Sequence, residues 1–344
     1  MSSSGSEEEE EQVVESKNLT GKQRKKMKRA AEKAALVASG AVAAELPVLM
    51  NTHSQPQVVS AISTAQHKAF GFLKLEEFGP EERRKARTHA NPLAKQYLEP
   101  TLAPNNFSEW FDDASKPLGI DIGCAAGRFA FMMSCHENSK FPGVNHLGLE
   151  IRKVLVERAN TWAEGKGLNR SMRFLLSSAN VSLQSVVKDY PGKVAFLCVQ
   201  FPDPHFKRKH HKRRVVTNEF VQSVAEILDE GAWFFVQSDV EEAAAQMRDR
   251  IDEFPTLFKR DGVYTSRDPV LAADRVRSGE GEEFWTRDGK RALNSDDVLL
   301  AKADYGDWRI GENPMGVPTE REVQNEALGL PIYRALFVRT GTKA

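Results

Sequence analysis

From residue 118 onward the chain alternates short apolar runs with longer amphipathic stretches, and this alternation restricts the fold more than any other feature. LGIDIG (118–123), HLGLEI (146–151), MRFLLSS (172–178), VAFLCVQF (194–201), GAWFFVQSD (231–239) and IYRALFV (332–338) read as strands. Between them, RFAFMMSCHE (128–137) and NEFVQSVAEILDE (218–230) read as helices. So does the stretch carrying Val154, Leu155, Arg158, Ala159 and Trp162 at helical spacing. Strands and helices in turn imply an α/β fold, a mostly parallel sheet covered on both faces. Such sheets place ligands outside the carboxyl ends of their strands, at the point where strand order reverses.

The rest of the chain is punctuated differently. Residues 1–60 carry an acidic block from Glu7 to Glu11, then a basic run and an alanine-rich one, and are expected to be a disordered tail with a helix between Lys22 and Ala44. Residues 61–115 form a lead-in and 116–344 the main domain, interrupted at about 267–308 by an Asp-, Arg- and Gly-rich excursion. No apolar run approaches the roughly 18 residues a spanning helix needs, and MSSSGSEEEEEQ does not resemble a secretory leader, so an intracellular, soluble protein is expected. Cys124, Cys135 and Cys198 have no zinc or disulfide spacing, and His205, His210 and His211 have no acidic or thiol partner at ligand spacing, so no metal is expected.

Each chemically suggestive residue falls at a strand end. The first strand runs into Asp121-Ile-Gly123-Cys-Ala125-Ala-Gly127. A dinucleotide fingerprint needs glycine where Ala125 stands so that the backbone can approach a pyrophosphate, and the loop therefore suits a nucleoside without phosphate, such as S-adenosylmethionine. Glu150 ends the second strand, where an acid can accept from both ribose hydroxyls; dinucleotide enzymes use the same device. The fourth strand ends in Pro202-Asp203-Pro204, whose prolines hold an extended turn that aims Asp203 at the neighbouring pocket. His205 and Phe206 follow, then a run of cations from Lys207 to Arg214. Lysine and arginine neutralise phosphates and flat rings accept bases, so one aspartate in this field suits a nucleobase inside RNA.

These stretches, with SDVEE and NPMGVPTERE in the same order, closely resemble the tRNA (guanine-N7)-methyltransferase family, Rossmann-like class I S-adenosylmethionine-dependent methyltransferases that methylate a guanine in the variable loop of tRNA. HANPLAKQY is similar to the family's lead-in, and the likeness spans about residues 87–339 outside the excursion. The resemblance implies a seven-stranded, mostly parallel sheet with helices on both faces, S-adenosylmethionine as cofactor and tRNA as partner. Carried over by position, Asp121, Gly123, Gly127, Glu150 and Gln200 would line the donor site, with Ile151 flanking the adenine and Ser178, Ala179 and Asn180 beside it. The family often has Asn-Ala at that last place, which leaves open which side chain reaches the adenine. Asp203 matches the catalytic aspartate; Lys207, Asp239, Thr319 and Glu322 match substrate contacts, extended here by Arg208, Lys212, Arg213 and Arg214.

Other readings stay open at this point. An exocyclic-amine methyltransferase carries a similar turn, usually Asp/Asn-Pro-Pro-aromatic, whereas this chain has Asp203-Pro204-His205-Phe206. A non-catalytic RNA-binding module would not need Asp121, Glu150 and Asp203 together. Some family members work alone and others with a non-catalytic β-propeller subunit. The tail is eukaryotic in style and favours nucleus or cytoplasm, while NPMGVPTERE is also similar to cyanobacterial and plastid forms, which keeps a plastid open.

Overall fold

The computed structural model describes residues 56–78, 90–206, 208–262, 264–265, 308–309 and 312–342, without the side chains of residues 56–58, 208–209 and 264–265. Seven strands make one sheet: β1 (Leu118–Ile122), β2 (Asn145–Glu150), β3 (Met172–Leu176), β4 (Val194–Gln200), β5 (Trp233–Ser238), β6 (Phe258–Arg260) and, after a two-stranded ladder of β7 (Tyr264–Thr265) and β8 (Trp308–Arg309), β9 (Tyr333–Arg339). Their order across the sheet is β3-β2-β1-β4-β5-β9-β6. β3, β2, β1, β4 and β5 pair in parallel, and β9 runs antiparallel to both β5 and β6. The mostly parallel seven-stranded sheet agrees with the sequence reading. β1 lies between β2 and β4, so the chain winds outward on one side through β3 and then crosses to the other; the reversal opens a crevice above β1 and β4.

The period of two in each strand sorts the core into two layers. On β4, Leu197 and Val199 join one layer while Phe196 and Cys198 join the other. The first layer is closed by α4 (Ala179–Val187), α5 (Asn218–Ile227) and α6 (Glu241–Asp252), through side chains such as Leu183, Val221 and Ile251. The second is closed by α1 (Pro56–Phe70), α2 (Arg128–Cys135), α3 (Lys153–Gly165) and α7 (Glu320–Ala327), through Phe70, Phe131, Trp162 and Val323. Coverage on both faces explains why LGIDI and VAFLCV read as continuous apolar runs rather than alternating ones.

Most boundaries differ from the sequence reading by one or two residues, and two helix ends differ by more. α1 begins at Pro56, inside the stretch assigned to the tail, at the helix position where proline is tolerated because its missing N–H would be unpaired anyway. α5 ends at Ile227 because Leu228 turns to extended backbone and enters the core instead of continuing the helix. The expected helix at 22–44 and the excursion at 267–307 lie outside the described residues. Trp308, at the end of the excursion, is buried, with its ring 5.3 Å from that of Tyr333 and 4.5 Å from the Arg248 guanidinium carbon.

Gly119 shows how closely β1 and β4 are packed. A methyl group there would lie 2.1 Å from Cζ of Phe196. Gly119→Ala is therefore expected to lower unfolding stability by about 1–3 kcal/mol, measured by urea denaturation. An unchanged midpoint would show that the Phe196 ring has room to move.

Candidate active site

A cleft of about 830 Å³, open solvent at its mouth included, lies at the carboxyl ends of β1, β2, β3 and β4. Gly123, Glu150, Ile151, Ser178, Ala179, Asn180, Gln200, Asp203 and Arg213, all expected in the site, line it together. The loop after β1 takes left-handed backbone at Gly123 (φ 73°), Ala125 (φ 49°) and Gly127 (φ 76°). A methyl group at Gly123 would meet nothing within 4 Å, so that position leaves space for a ligand. Gly127 is not among the lining residues: a methyl group there would lie 2.5 Å from the Phe174 ring, and its glycine serves the turn into α2 and the packing against Phe174. Ala125 pays a conformational cost at positive φ and points its N–H to Oε2 of Glu150 at 3.2 Å.

Glu150 is buried and fully occupied. Arg152 grips it with both arms, Nε to Oε1 at 3.0 Å and Nη2 to Oε2 at 2.8 Å, and the Arg152 backbone N–H adds a third bond to Oε1 at 2.9 Å. Burial disfavours the charge of Arg152, but the hydrogen bond and charge of Glu150, with the charge of Asp203, outweigh it and hold the guanidinium protonated. Asp121 lies buried behind the cleft. Burial pushes its carboxyl up to about 7; the neighbouring Gln200 amide tempers the rise and the Glu150 charge adds to it. Of the residues lining the cleft, Ser177 and Gln200 each keep a buried polar atom, Oγ and Nε2, without a hydrogen bond of good geometry among the described residues, although the Gln200 amide lies beside the Asp121 carboxyl.

The Pro-Asp-Pro turn departs from β4 through strained backbone at Phe201 (φ 50°) and His205 (φ 48°). The Phe201 N–H still bonds the Gln237 carbonyl at 2.8 Å, so the sheet carries the chain up to the residue before the turn. Burial, with nearby Arg213, His210 and Arg214, holds the His205 imidazole below its usual range against the pull of Asp203. The basic run forms a tight helical turn, Arg208–Arg213. Its cations have different uses. Arg213 lines the cleft and Lys212 is exposed. Arg214 is spent on the fold, with Nε on the Pro204 carbonyl at 3.0 Å and Nη2 on Glu242 of α6 at 2.7 Å. Lys207 lies outside the described residues, as does the side chain of Arg208.

Asp239, Thr319 and Glu322 stand outside the cleft lining. Asp239 is paired with Arg321 of α7 through Nε at 2.9 Å and Nη2 at 2.5 Å. Thr319 caps α7, its hydroxyl accepting the Glu322 N–H at 3.2 Å while the Glu322 carboxylate accepts the Thr319 N–H at 3.1 Å. The same carboxylate accepts from Asn313, Gln237 and Arg334. Gln237 in turn donates to Oε1 of Gln200 at 2.8 Å, which joins α7 to the cleft through an unbroken polar chain.

Sequence reasoning did not single out Arg152, Ser177, Gln237 or Tyr97. Glu150 and Arg152 are two residues apart at the end of a strand, the spacing that points side chains the same way, and this was a usable signal. Tyr97, within the quoted HANPLAKQY stretch, donates from its hydroxyl to the Ile151 carbonyl at 2.6 Å, and Ala90 and Pro92 of the same lead-in form one wall of the cleft. No local pattern announces that long-range contact. Cys124 and Cys198 are buried with their thiols pushed well up, first by burial and then by the Asp121 charge, which disfavours a nucleophilic role for either. Among the described residues no cluster of three or more His, Cys, Asp or Glu side chains could hold a metal ion, and no helix is long and apolar enough to cross a membrane.

A family model described as "Putative methyltransferase" matches residues 115–293. The chain is 37% identical over 248 residues to a tRNA (guanine-N(7)-)-methyltransferase of Synechococcus sp. (strain JA-3-3Ab), covering 72% of this chain and 83% of the relative. It is also 37% identical over 257 residues to the protein of that name from Nostoc sp., covering 74% and 94%, and over 256 residues to that from Trichormus variabilis, covering 74% and 96%.

The Asp121 carboxyl titrates near 4 in an unfolded chain and at about 7 in the fold. The folded state therefore binds the extra proton between those values, and the ligand-free protein loses stability as pH rises from about 4 to about 7. Asp121→Asn removes this loss. Urea unfolding is expected to show the variant more stable than the parent by about 1–4 kcal/mol at pH 8 and nearly equal near pH 4. A parent as stable as the variant at pH 8 would mean that Asp121 is ionised in the fold at little cost.

Proposed function

Because this chain belongs to the tRNA (guanine-N7)-methyltransferase family, we propose that it methylates N7 of a guanine in the variable loop of tRNA, with Asp203 orienting the base and stabilising its charge. The chain is an S-adenosylmethionine-dependent methyltransferase. The observation that carries the finer reading is the shared cleft. Asp203 faces the space that Glu150 closes from the opposite strand end, and the basic turn adjoins it.

The cleft suits the donor. Gly123 leaves open space, and Ser177 and Gln200 add polar side chains to the lining. Glu150 would hold the ribose, Ile151 would flank the adenine beside Ser178 to Asn180, and Asp121 would balance positive charge from behind. S-adenosylmethionine supplies a methyl group on a sulfonium, an electrophile that needs no metal or base to be displaced.

Guanine N7 carries an in-plane lone pair and no proton. The N7–carbon bond forms as the sulfur–carbon bond breaks, S-adenosylhomocysteine departs, and the sulfonium charge passes to the purine. No proton moves, so the task of Asp203 is to fix the ring in line and to face the charge that develops on it. Two prolines and the sheet-borne Phe201 hold that carboxylate in advance. Arg213 and Lys212 would meet phosphates of the tRNA around the entering base.

The direct test is transfer of labelled methyl from S-adenosylmethionine to total tRNA by the purified chain alone, with borohydride and aniline cleavage to locate N7-methylguanine. Cleavage confined to the variable loop is expected. Label on another atom or in another loop would refute the assignment, and donor binding without transfer would call for a β-propeller subunit. Asp203→Asn is expected to lower kcat by about 100-fold with tRNA affinity unchanged. Full turnover in that variant would remove Asp203 from the chemistry.

A further inference from the structure

Glu150 has no acceptor capacity left for a ribose. A carboxylate offers about four lone-pair sites, two on each oxygen. Oε1 accepts from the backbone N–H and the Nε of Arg152, and Oε2 accepts from the backbone N–H of Ala125 and the Nη2 of Arg152. The two backbone donors are fixed by the strand and the glycine loop. The Arg152 guanidinium is the member that can leave: its side chain is 29% exposed, against 2% for Glu150, and it lines the open cleft. Both ribose hydroxyls therefore compete with this one side chain for the same two oxygens.

The destination of the displaced guanidinium is also defined. Asp203 lines the same cleft and already exerts a favourable charge interaction on Arg152. In a cleft shared with two carboxylates, a planar fork can exchange one for the other without giving up its charge. Resting on the methyl-transfer reading above, we propose that Arg152 is a positioning residue that exchanges partners: it blocks Glu150 in the empty cleft and, once the donor ribose has taken Glu150, turns to orient Asp203 for the incoming guanine. The exchange makes donor binding precede productive docking of the base. It also makes Arg152 unfavourable for donor affinity and favourable for turnover, a pair of signs that an ordinary donor-contacting arginine would not give.

The test uses Arg152→Gln and Arg152→Lys in the full chain, with S-adenosylhomocysteine affinity read by calorimetry and turnover read on tRNA. Arg152→Gln is expected to bind S-adenosylhomocysteine about fivefold more tightly, since the competing contact is gone. Its kcat at saturating donor and tRNA is expected to fall by about tenfold or more, since Asp203 loses its orienting partner. In the Asp203→Asn background the same change is expected to cost no further turnover, because the two residues act through one another. Arg152→Lys keeps the charge without the two-armed grip, so it is expected to bind the ligand more tightly than the parent while keeping more turnover than Arg152→Gln. This second variant covers the case in which Arg152→Gln fails to fold. Weaker ligand binding in either soluble variant, or additive losses with Asp203→Asn, would overturn the exchange. A parent chain that binds no S-adenosylhomocysteine, or that yields no N7-methylguanine even with a β-propeller subunit added, overturns the methyl-transfer reading first, and the exchange with it.

Discussion

The parallel pairing of β1 with β2 on one side and β4 on the other is the constraint from which the rest of the site follows. Asp121 sits opposite Gly148 on β2 and Cys198 on β4, so the ends of all three strands open at nearly one level. The chain leaves β1 in the direction of β2 and must later cross over to start β4, and no connection covers the gap between them. Glu150, Gln200 and the Pro-Asp-Pro turn share a cleft because their strands share that register. Gly119 allows it, since only a residue without a side chain lets the Phe196 ring lie across β1.

A second constraint is polar and buried. Gln200, Gln237, Glu322 and Arg334 form a chain through the ends of β4, β5 and β9 into α7, and Gln237 and Glu322 are almost wholly removed from solvent. Such a network is stabilising only when every member is satisfied. Here the Glu322 carboxylate is satisfied four ways, by Gln237, Asn313, Arg334 and the Thr319 N–H. That fixes the segment from Asn313 to Thr319 beside the sheet, and α1 packs on the same face. The Thr-x-x-Glu pattern thus has a structural duty, the capping box of α7, independent of any contact with substrate.

The architecture was legible in the sequence because two-sided burial writes itself as apolar runs of strand length, and because Gly123, Glu150 and Asp203 each end such a run. The site was legible in its parts and not in its wiring. Gly127 looked like part of a ligand loop, whereas its missing side chain makes room for Phe174, a residue 47 positions away. Arg214 looked like one more cation for phosphate, whereas it braces the Pro204 carbonyl against Glu242. Tyr97 reaches Ile151 from a segment with no regular periodicity. Each of these depends on a contact between distant residues, which local pattern and propensity do not encode. Arg152 is the exception: it stands in plain view two residues after the strand-ending acid, and only the chemistry of a saturated carboxylate gives it meaning.

The charge arrangement of the empty cleft follows from the same chemistry. Glu150 and Asp203 line the cleft proposed for the methyl donor and Asp121 lies buried behind it, and unaccompanied the three carboxylates would repel one another at considerable cost. The fold answers this in two different ways. The carboxyl of Asp121, wholly enclosed, is pushed up to about 7 by burial. Glu150 is gripped by Arg152, whose guanidinium also feels the charge of Asp203. A permanent cation in that position would disfavour the donor, so the compensating charge has to be one that can move aside. A guanidinium on a flexible stem, partly exposed at the mouth of the cleft, meets that requirement; a buried or metal-borne charge would not.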